Sequence, residues 1–132
     1  MFLATCSYSQ FTPDMGVPVG TSVGKHRGFP HAEQVDALKP WTTFRKMSDR
    51  PLSEQRDRYQ RQLTDTEQRV SRALHDLTAR YPGHRLVLLC WCDLSRPDTG
   101  PNGCHRRWAA DWLEQRGLTV PELAPPAPTL WD

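Results

Sequence analysis

Residues 85–91 read RLVLLCW, and this run decides the fold. It follows Pro82-Gly83, a pair that favours a turn, and residues 86–91 are apolar without interruption. A strand with one solvated face alternates apolar and polar residues, whereas a strand buried on both faces of a parallel sheet is apolar throughout. We therefore predict that this run is the central strand of a mainly parallel sheet in an α/β domain.

A long helix is predicted before this strand, over residues 53–81. Its apolar residues recur three or four positions apart, as one buried helix face requires. They include Tyr59, Leu63, Val70, Leu74 and Leu77. Residues 64–67, TDTE, match a capping box, so the sequence leaves open one continuous helix or two helices with a break near Thr64.

Shorter elements are predicted on either side of this pair. They are strands within residues 1–9 and 17–23, a helix over 104–116 and a last strand over 118–123. Together these elements predict a single small α/β domain over residues 1–123, with its sheet flanked by helices. A proline-rich C-terminal tail follows at residues 124–132.

Length and composition restrict the class of protein. The chain has 132 residues, of which 37% are hydrophobic, and this suits one domain with a modest core. No apolar run reaches the roughly 18–20 residues of a membrane span, and the first residues lack the features of a signal peptide. We therefore expect a cytoplasmic protein with no membrane partner, whose four cysteines are reduced thiols.

One cluster of residues is suited to chemistry. Cys90 and Cys92 should project to the same side near the carboxyl end of the central strand, because side chains alternate along a strand. Cys104-His105 begin the following helix, and Arg106-Arg107 come next. Ligand sites of open α/β sheets lie beyond the carboxyl ends of the strands, often at the amino end of the next helix. The sequence therefore predicts a site at this end of the sheet.

The first interpretation of the cluster is a thiolate and anion site. The helix N-terminus and the cations Arg106 and Arg107 should lower the pKa of Cys104, which would act as nucleophile with His105 as its acid–base partner. Arg106 and Arg107 would then hold an anionic small molecule, such as a phosphorylated or nucleotide-like substrate. Lys25 and Arg27 extend this anion site, because they lie in a glycine-rich loop where backbone can approach an anion closely.

The second interpretation is a metal site. Cys90, Cys92, Cys104 and His105 are three thiolates and one imidazole, a set suited to tetrahedral zinc, with Cys6 and His26 as possible substitutes. The spacing differs from the usual zinc knuckle, because only one residue separates the first two cysteines. A zinc site of this kind would make the protein a zinc-stabilised structural domain.

Two further interpretations stay open. In one, the cysteines at residues 6 and 90 fill the core, Cys104 packs at a helix start and the arginines pair with nearby carboxylates. In the other, the protein is a noncatalytic module that binds nucleic acid or protein through the cationic surface at residues 45–61 and the tryptophan-containing tail.

The chain resembles the family called domain of unknown function 488. The resemblance rests on Leu88-Leu89-Cys90, on Cys104-His105-Arg106-Arg107 at a helix start, and on Val120-Pro121-Glu122-Leu123. Residues 15–24, MGVPVGTSVG, are similar to the amino-terminal part of actinobacterial and phage members. The resemblance implies an α/β fold with a site at this strand end, and it implies no particular reaction.

One position departs from the family pattern. The acidic residue that usually stands two positions after the strand cysteine is Cys92 in this chain, and Asp93 lies beside it. If that carboxylate acts as a base or ligand in relatives, the resemblance implies that Asp93 takes the role here, that a thiolate replaces it, or that the activity has changed.

Overall fold

Four parallel strands form one sheet in the part of the chain that the computed structural model describes, residues 1–24, 26–43, 47, 49–92 and 104–124. The strands are β1 (Leu3–Ser7), β2 (Val17–Gly20), β3 (Glu33–Gln34) and β4 (Leu86–Cys90), and their order is β1-β4-β2-β3. Strand β4 lies inside the sheet, and all five of its residues are buried. The structure therefore confirms the α/β class, and β4 is the strand that the apolar run predicts.

Three α-helices accompany the sheet in the described residues: α1 (Leu52–Asp65), α2 (Glu67–Arg80) and α3 (His105–Glu114). The predicted long helix is two helices that meet at Thr66, whose φ of −119° and ψ of 29° interrupt the helical path. The capping box is not formed, because no side chain caps the start of α2. Instead the Thr66 hydroxyl donates to the Gln62 carbonyl at 2.9 Å and caps the end of α1.

The two faces of the sheet are covered differently. Residues from all three helices join one core cluster with the sheet residues Leu3, Val19, Leu86 and Leu88. The opposite face carries a smaller cluster of Cys6, Tyr8, Met15, Val87 and Leu89, packed against Phe11, Phe29 and Leu123. Alternate residues of β4 thus face helices on one side and loops on the other, as strand geometry requires.

The ends of the sheet differ from the sequence-based expectation. The predicted strand at residues 17–23 ends at Gly20. The predicted last strand at residues 118–123 is a single parallel bridge between Glu122 and Thr5, since Pro121 has no N–H group with which to continue a ladder. The short edge strand β3 has no apolar pattern in the sequence and was not expected.

The remaining expectations concern the chain termini and the membrane. Residues 125–132 of the predicted tail lie outside the described residues. Among the helices of the described residues, none combines the length and the apolar character that crossing a membrane requires.

Candidate functional site

A pair of buried thiols lies where β4 ends and α3 begins. Cys90 is the last residue of β4, and Cys104 immediately precedes α3. Their side chains are buried, and the two Sγ atoms are 2.9 Å apart. The thiol of Cys92 forms hydrogen bonds with both of these thiols, so the alternation of the strand carries it to the same side as Cys90. The structure thus brings together the three cysteines that the sequence grouped.

His105 completes the cluster at the first position of α3. Its Nε2 atom lies 2.9 Å from the Thr21 carbonyl oxygen, which can only accept, so Nε2 carries the proton and donates it. The Thr21 hydroxyl is 3.3 Å from the same nitrogen and donates its own proton to the Leu89 carbonyl. In the neutral form of the ring this leaves Nδ1 with a lone pair that can bind a ligand.

Cys90, Cys104 and His105 form a group that could hold a metal ion. Each residue offers one ligand atom, and these atoms all lie within 4.8 Å of one another. Sulfur and imidazole nitrogen are the donors that zinc prefers in proteins. In the described part of the chain, the metal-binding arrangement expected from the sequence is therefore present at these three residues.

Arg106 supplies the positive charge of the site from inside the protein. Its Nη1 atom donates to the Cys90 sulfur at 3.0 Å, the Cys104 sulfur at 3.3 Å and the Cys92 carbonyl at 2.7 Å. Its Nε and Nη2 atoms donate to the two carboxylate oxygens of Glu122 at 3.0 and 2.7 Å. Its side chain has no exposed surface. The guanidinium is thus engaged with groups of the protein itself.

These contacts separate the pKa values of the thiols. Burial opposes ionisation of Cys90, yet hydrogen bonds from the Cys104 and Cys92 thiols and the nearby positive charges hold its pKa well below the usual value. Cys104 donates its proton to Cys90, and this raises its pKa. The hydrogen bond with Cys104 lowers the pKa of Cys92, but its bond with Cys90 and its burial outweigh this and raise it to about 11. Cys90 is therefore the most acidic of the three thiols.

The sequence predicts that the helix terminus lowers the pKa of Cys104, and this prediction is wrong because the pKa is raised. The dipole of a helix favours negative charge near its N-terminus, but its effect is limited to about 1 kcal/mol at most exposed sites. A direct hydrogen bond from one thiol to a neighbouring thiolate is the stronger influence here. The catalytic roles predicted for Cys104 and His105 stay predictions.

Of the other predicted anion-binding residues, Arg107 is engaged with neutral oxygens of the protein. The Nη1 atom of Arg107 donates to the Thr5 hydroxyl at 2.8 Å and to the Val120 carbonyl at 2.9 Å. Arg27 is exposed on the loop after β2. Lys25 and Asp93 lie outside the described residues.

The proposed substitutes for the zinc ligands do not join the cluster. Cys6 belongs to the buried group on the opposite face of the sheet, where burial raises its pKa. The ring of His26 stacks between aromatic side chains, at 4.5 Å from Tyr8 and 4.4 Å from Trp91 between ring centroids. Cys92 is not among the three residues whose ligand atoms converge, although its thiol forms hydrogen bonds with those of Cys90 and Cys104.

Sequence reasoning missed the two residues that orient the site, Glu122 and Thr21. It also assigned the Arg106 side chain to a ligand in solution. A signal for its burial was present, because residues 106, 109, 110 and 113 have the spacing of one buried helix face. Arginine at such a position needs an internal carboxylate, which Glu122 supplies.

Comparisons with known proteins give no functional information, so the function must be inferred from the site itself. No family model, no curated protein and no solved structure matches this chain.

Proposed function

We propose that this protein is a zinc-binding domain, in which Cys90, Cys104 and His105 hold the ion and Cys92 supplies the fourth ligand. The observation that carries the proposal is the convergence of three ligand atoms within 4.8 Å of one another. The hydrogen bond of His105 supports it independently. Histidines that bind metals almost always donate their second ring N–H to a carbonyl, carboxylate or water, and His105 donates to Thr21.

The geometry is close to that of a tetrahedral site. With zinc–sulfur bonds of about 2.3 Å, two ligand sulfurs are about 3.8 Å apart. The Cys90 and Cys104 sulfurs, at 2.9 Å, would separate by about 1 Å on binding. Cys92 lies beyond the end of β4 and its carbonyl accepts from Arg106, so its side chain would have to turn to complete the site.

The charge of the site also fits zinc. Three thiolates, one neutral imidazole and a divalent ion sum to one negative charge, and the Arg106 guanidinium, which also pairs with Glu122, donates to two of the sulfurs and offsets that charge in part. Glu122 holds that guanidinium in place through two hydrogen bonds. Residues that orient ligands in this way raise metal affinity, commonly by about 10–100-fold.

A site with four protein ligands has a structural role. It leaves no open position for substrate, and it joins the end of the central strand to the start of α3. Because the ligands lie in two elements that are separated in sequence, metal binding would contribute directly to the free energy of folding.

A reduced thiolate site is the second candidate function. The low pKa of Cys90 favours it, since ionised thiols are the reactive ones. Such a site would act on a phosphorylated or nucleotide-like ligand, with Cys104, His105 and Asp93 as its further catalytic groups. Against it, Cys90 has no exposed surface and the Arg106 donors are engaged with the protein. Membership of the family called domain of unknown function 488 is likewise a proposal, and the sequence motifs support it.

Metal content measured on the purified, reduced chain tests the proposal. After equilibration with zinc and gel filtration, we expect about one ion per chain, and cobalt in its place should give thiolate-to-metal absorption bands. Cys104→Ser and His105→Gln should each lose the bound ion. The matched control is Cys6→Ser, since Cys6 is equally buried but lies on the opposite face of the sheet.

The outcomes separate the two candidates. Zinc retained by the Cys6→Ser control and lost by the site variants supports the zinc-binding domain. A chain that binds no zinc, with one thiol that alkylates at low pH and disappears in Cys90→Ser, contradicts it and supports the thiolate site. Equal loss of zinc from the control would also contradict the proposal, because binding would then depend on general folding.

A further inference from the structure

Four rings form an aromatic platform on the face of the sheet opposite the thiols: Tyr8, His26, Phe29 and Trp91. Trp91 follows Cys90 directly, so strand alternation directs it away from the cysteines and toward the cluster that contains Tyr8. The platform and the thiol cluster thus lie on the two faces of the same strand end. A ligand on the platform would be independent of a metal on the other face.

The rings of the platform hold one another in place. His26 stacks on Trp91 with ring centroids 4.4 Å apart and an angle of 27° between the planes. Tyr8 contacts both of these rings, at 4.5 Å from His26 and 5.4 Å from Trp91. Phe29 meets Tyr8 at 5.3 Å and His26 at 5.2 Å. Binding to so well supported a surface would cost little side-chain entropy.

A backbone contact fixes the orientation of the central ring. The Gly28 N–H group donates to His26 Nδ1 at 2.9 Å. A β-carbon at residue 28 would lie 3.1 Å from the His26 ring, tighter than most such contacts, so glycine suits this close approach. The loop after β2 is therefore shaped to present the His26 ring to Trp91.

Trp91 leaves much of its indole in water. It is 57% exposed although it stacks on His26, and it lies at the carboxyl end of the central strand, where ligands of open α/β sheets bind. Arg27, next to His26 in the chain, is exposed and has no ion-pair partner among the described residues. The platform thus combines a flat aromatic surface with an unpaired cation.

We propose that the aromatic platform binds a nucleobase, which stacks on the exposed face of Trp91 while Arg27 pairs with the attached phosphate. Base stacking on aromatic side chains needs an exposed, fixed ring and a nearby cation for the backbone or phosphate. Trp91 is exposed and is held by His26 and Tyr8, and Arg27 follows directly after His26 in the chain. The shared ligand chemistry is a nucleobase that carries a phosphate, whether as a free nucleotide or within a single strand.

The cation also favours this ligand over a second copy of the chain. Twofold dimers use the same surface on both subunits, so pairing through Trp91 would bring two unpaired Arg27 side chains near one another. Like charges that face each other across an interface oppose association. A phosphate-bearing base instead supplies the missing negative charge together with a flat ring.

Calorimetric titration of the purified, reduced chain, with and without added zinc, tests the inference; the probes are adenosine monophosphate and a short single-stranded oligodeoxynucleotide. Ribose phosphate and inorganic phosphate are the probes that lack a base. We expect a base-containing probe to bind and the two others to bind far more weakly. Trp91→Ala should weaken binding roughly tenfold or more, and Trp91→Phe should weaken it less because a ring remains. Arg27→Gln should weaken binding and reduce its dependence on salt.

Trp41 offers the matched control. It is 49% exposed, and its indole N–H group donates to the Asp36 carbonyl at 2.8 Å, away from the platform. Trp41→Ala should leave nucleotide affinity unchanged. Equal losses in Trp41→Ala and Trp91→Ala, or no binding of either base-containing probe, would overturn the proposal. A dimer that Trp91→Ala converts to a monomer, without nucleotide binding, would show that the surface joins two copies instead.

Discussion

Replacement of Arg106 by methionine tests the internal charge pair that supports the thiol cluster. Methionine keeps an unbranched side chain in the space and removes the guanidinium. The change deletes two hydrogen bonds to Glu122, at 3.0 and 2.7 Å, one to the Cys92 carbonyl, at 2.7 Å, and those to the Cys90 and Cys104 sulfurs, at 3.0 and 3.3 Å. It leaves the Glu122 carboxylate without its cation, and among the described residues the Thr5 hydroxyl is the donor that remains, at 2.6 Å.

The magnitude follows from the burial of the two partners. Removal of one member of a buried ion pair typically costs about 3–5 kcal/mol, because the other charge is left uncompensated. The Glu122 side chain is 23% exposed and can regain some water, so we expect a loss near the lower limit, about 3 kcal/mol. Domains of this size are stable by about 5–15 kcal/mol, so the variant should still fold.

Urea unfolding of the reduced, chelator-treated chain measures this loss apart from any metal. Arg107→Met is the control, since Arg107 lies next in the chain but donates to two neutral oxygens, of Thr5 and Val120. We expect it to cost about 1.5 kcal/mol, half the effect at Arg106. The double variant Arg106→Met with Glu122→Gln should lose less unfolding free energy than the two single variants lose together, by at least about 1 kcal/mol.

Two results would refute this reasoning. A loss of unfolding free energy below about 1 kcal/mol in Arg106→Met would equal the contribution of an exposed ion pair, and this would contradict the burial of the guanidinium. Additive losses in the double variant would show that Arg106 and Glu122 act separately, although their charged groups are 2.7 Å apart.

Two further predictions concern contacts away from the site. Tyr59→Phe removes the 2.6 Å hydrogen bond to the Leu38 carbonyl in the core and should cost about 1–2 kcal/mol in urea unfolding, whereas no loss would show that the carbonyl finds another donor. The hydroxyl of Tyr81 and the guanidinium of Arg80 lower the pKa of Glu33, so this carboxylate stabilises the fold above its unfolded pKa, about 4.3. Glu33→Gln should therefore be less stable than wild type by about 0.5–1 kcal/mol at neutral pH. The difference in unfolding free energy should vanish as the pH falls through the lowered pKa of Glu33. A difference that does not change with pH would contradict this prediction.

The central strand was predictable because a strand buried on both faces must be apolar at every position. The five residues of β4 are apolar without alternation, which leaves no face suited to water, and all five are buried. The same periodicity of two predicts the positions of Cys90 and Trp91 on opposite faces. These inferences depend on local geometry alone, which the sequence carries directly.

The partners of the site residues were not predictable in the same way. Arg106 and Glu122 are 16 residues apart, and His105 and Thr21 are 84 residues apart. Their pairing depends on how α3 and the loop after β2 approach β4, and no local pattern contains that information. The acidity of Cys90 depends in turn on these distant contacts, so the helix terminus alone pointed to the wrong thiol.

The internal ion pair links the thiol cluster to the edge of the sheet. Glu122 accepts from Arg106 and from the Thr5 hydroxyl of β1, and the segment around it bridges to β1 through the Leu123 N–H group, which donates to the Thr5 carbonyl at 2.7 Å. A metal that fixes Cys104 therefore also fixes the helix from which Arg106 extends. Zinc should accordingly slow hydrogen exchange at Leu123 as well as at α3, and protection confined to α3 would show that the ion pair does not transmit the restraint.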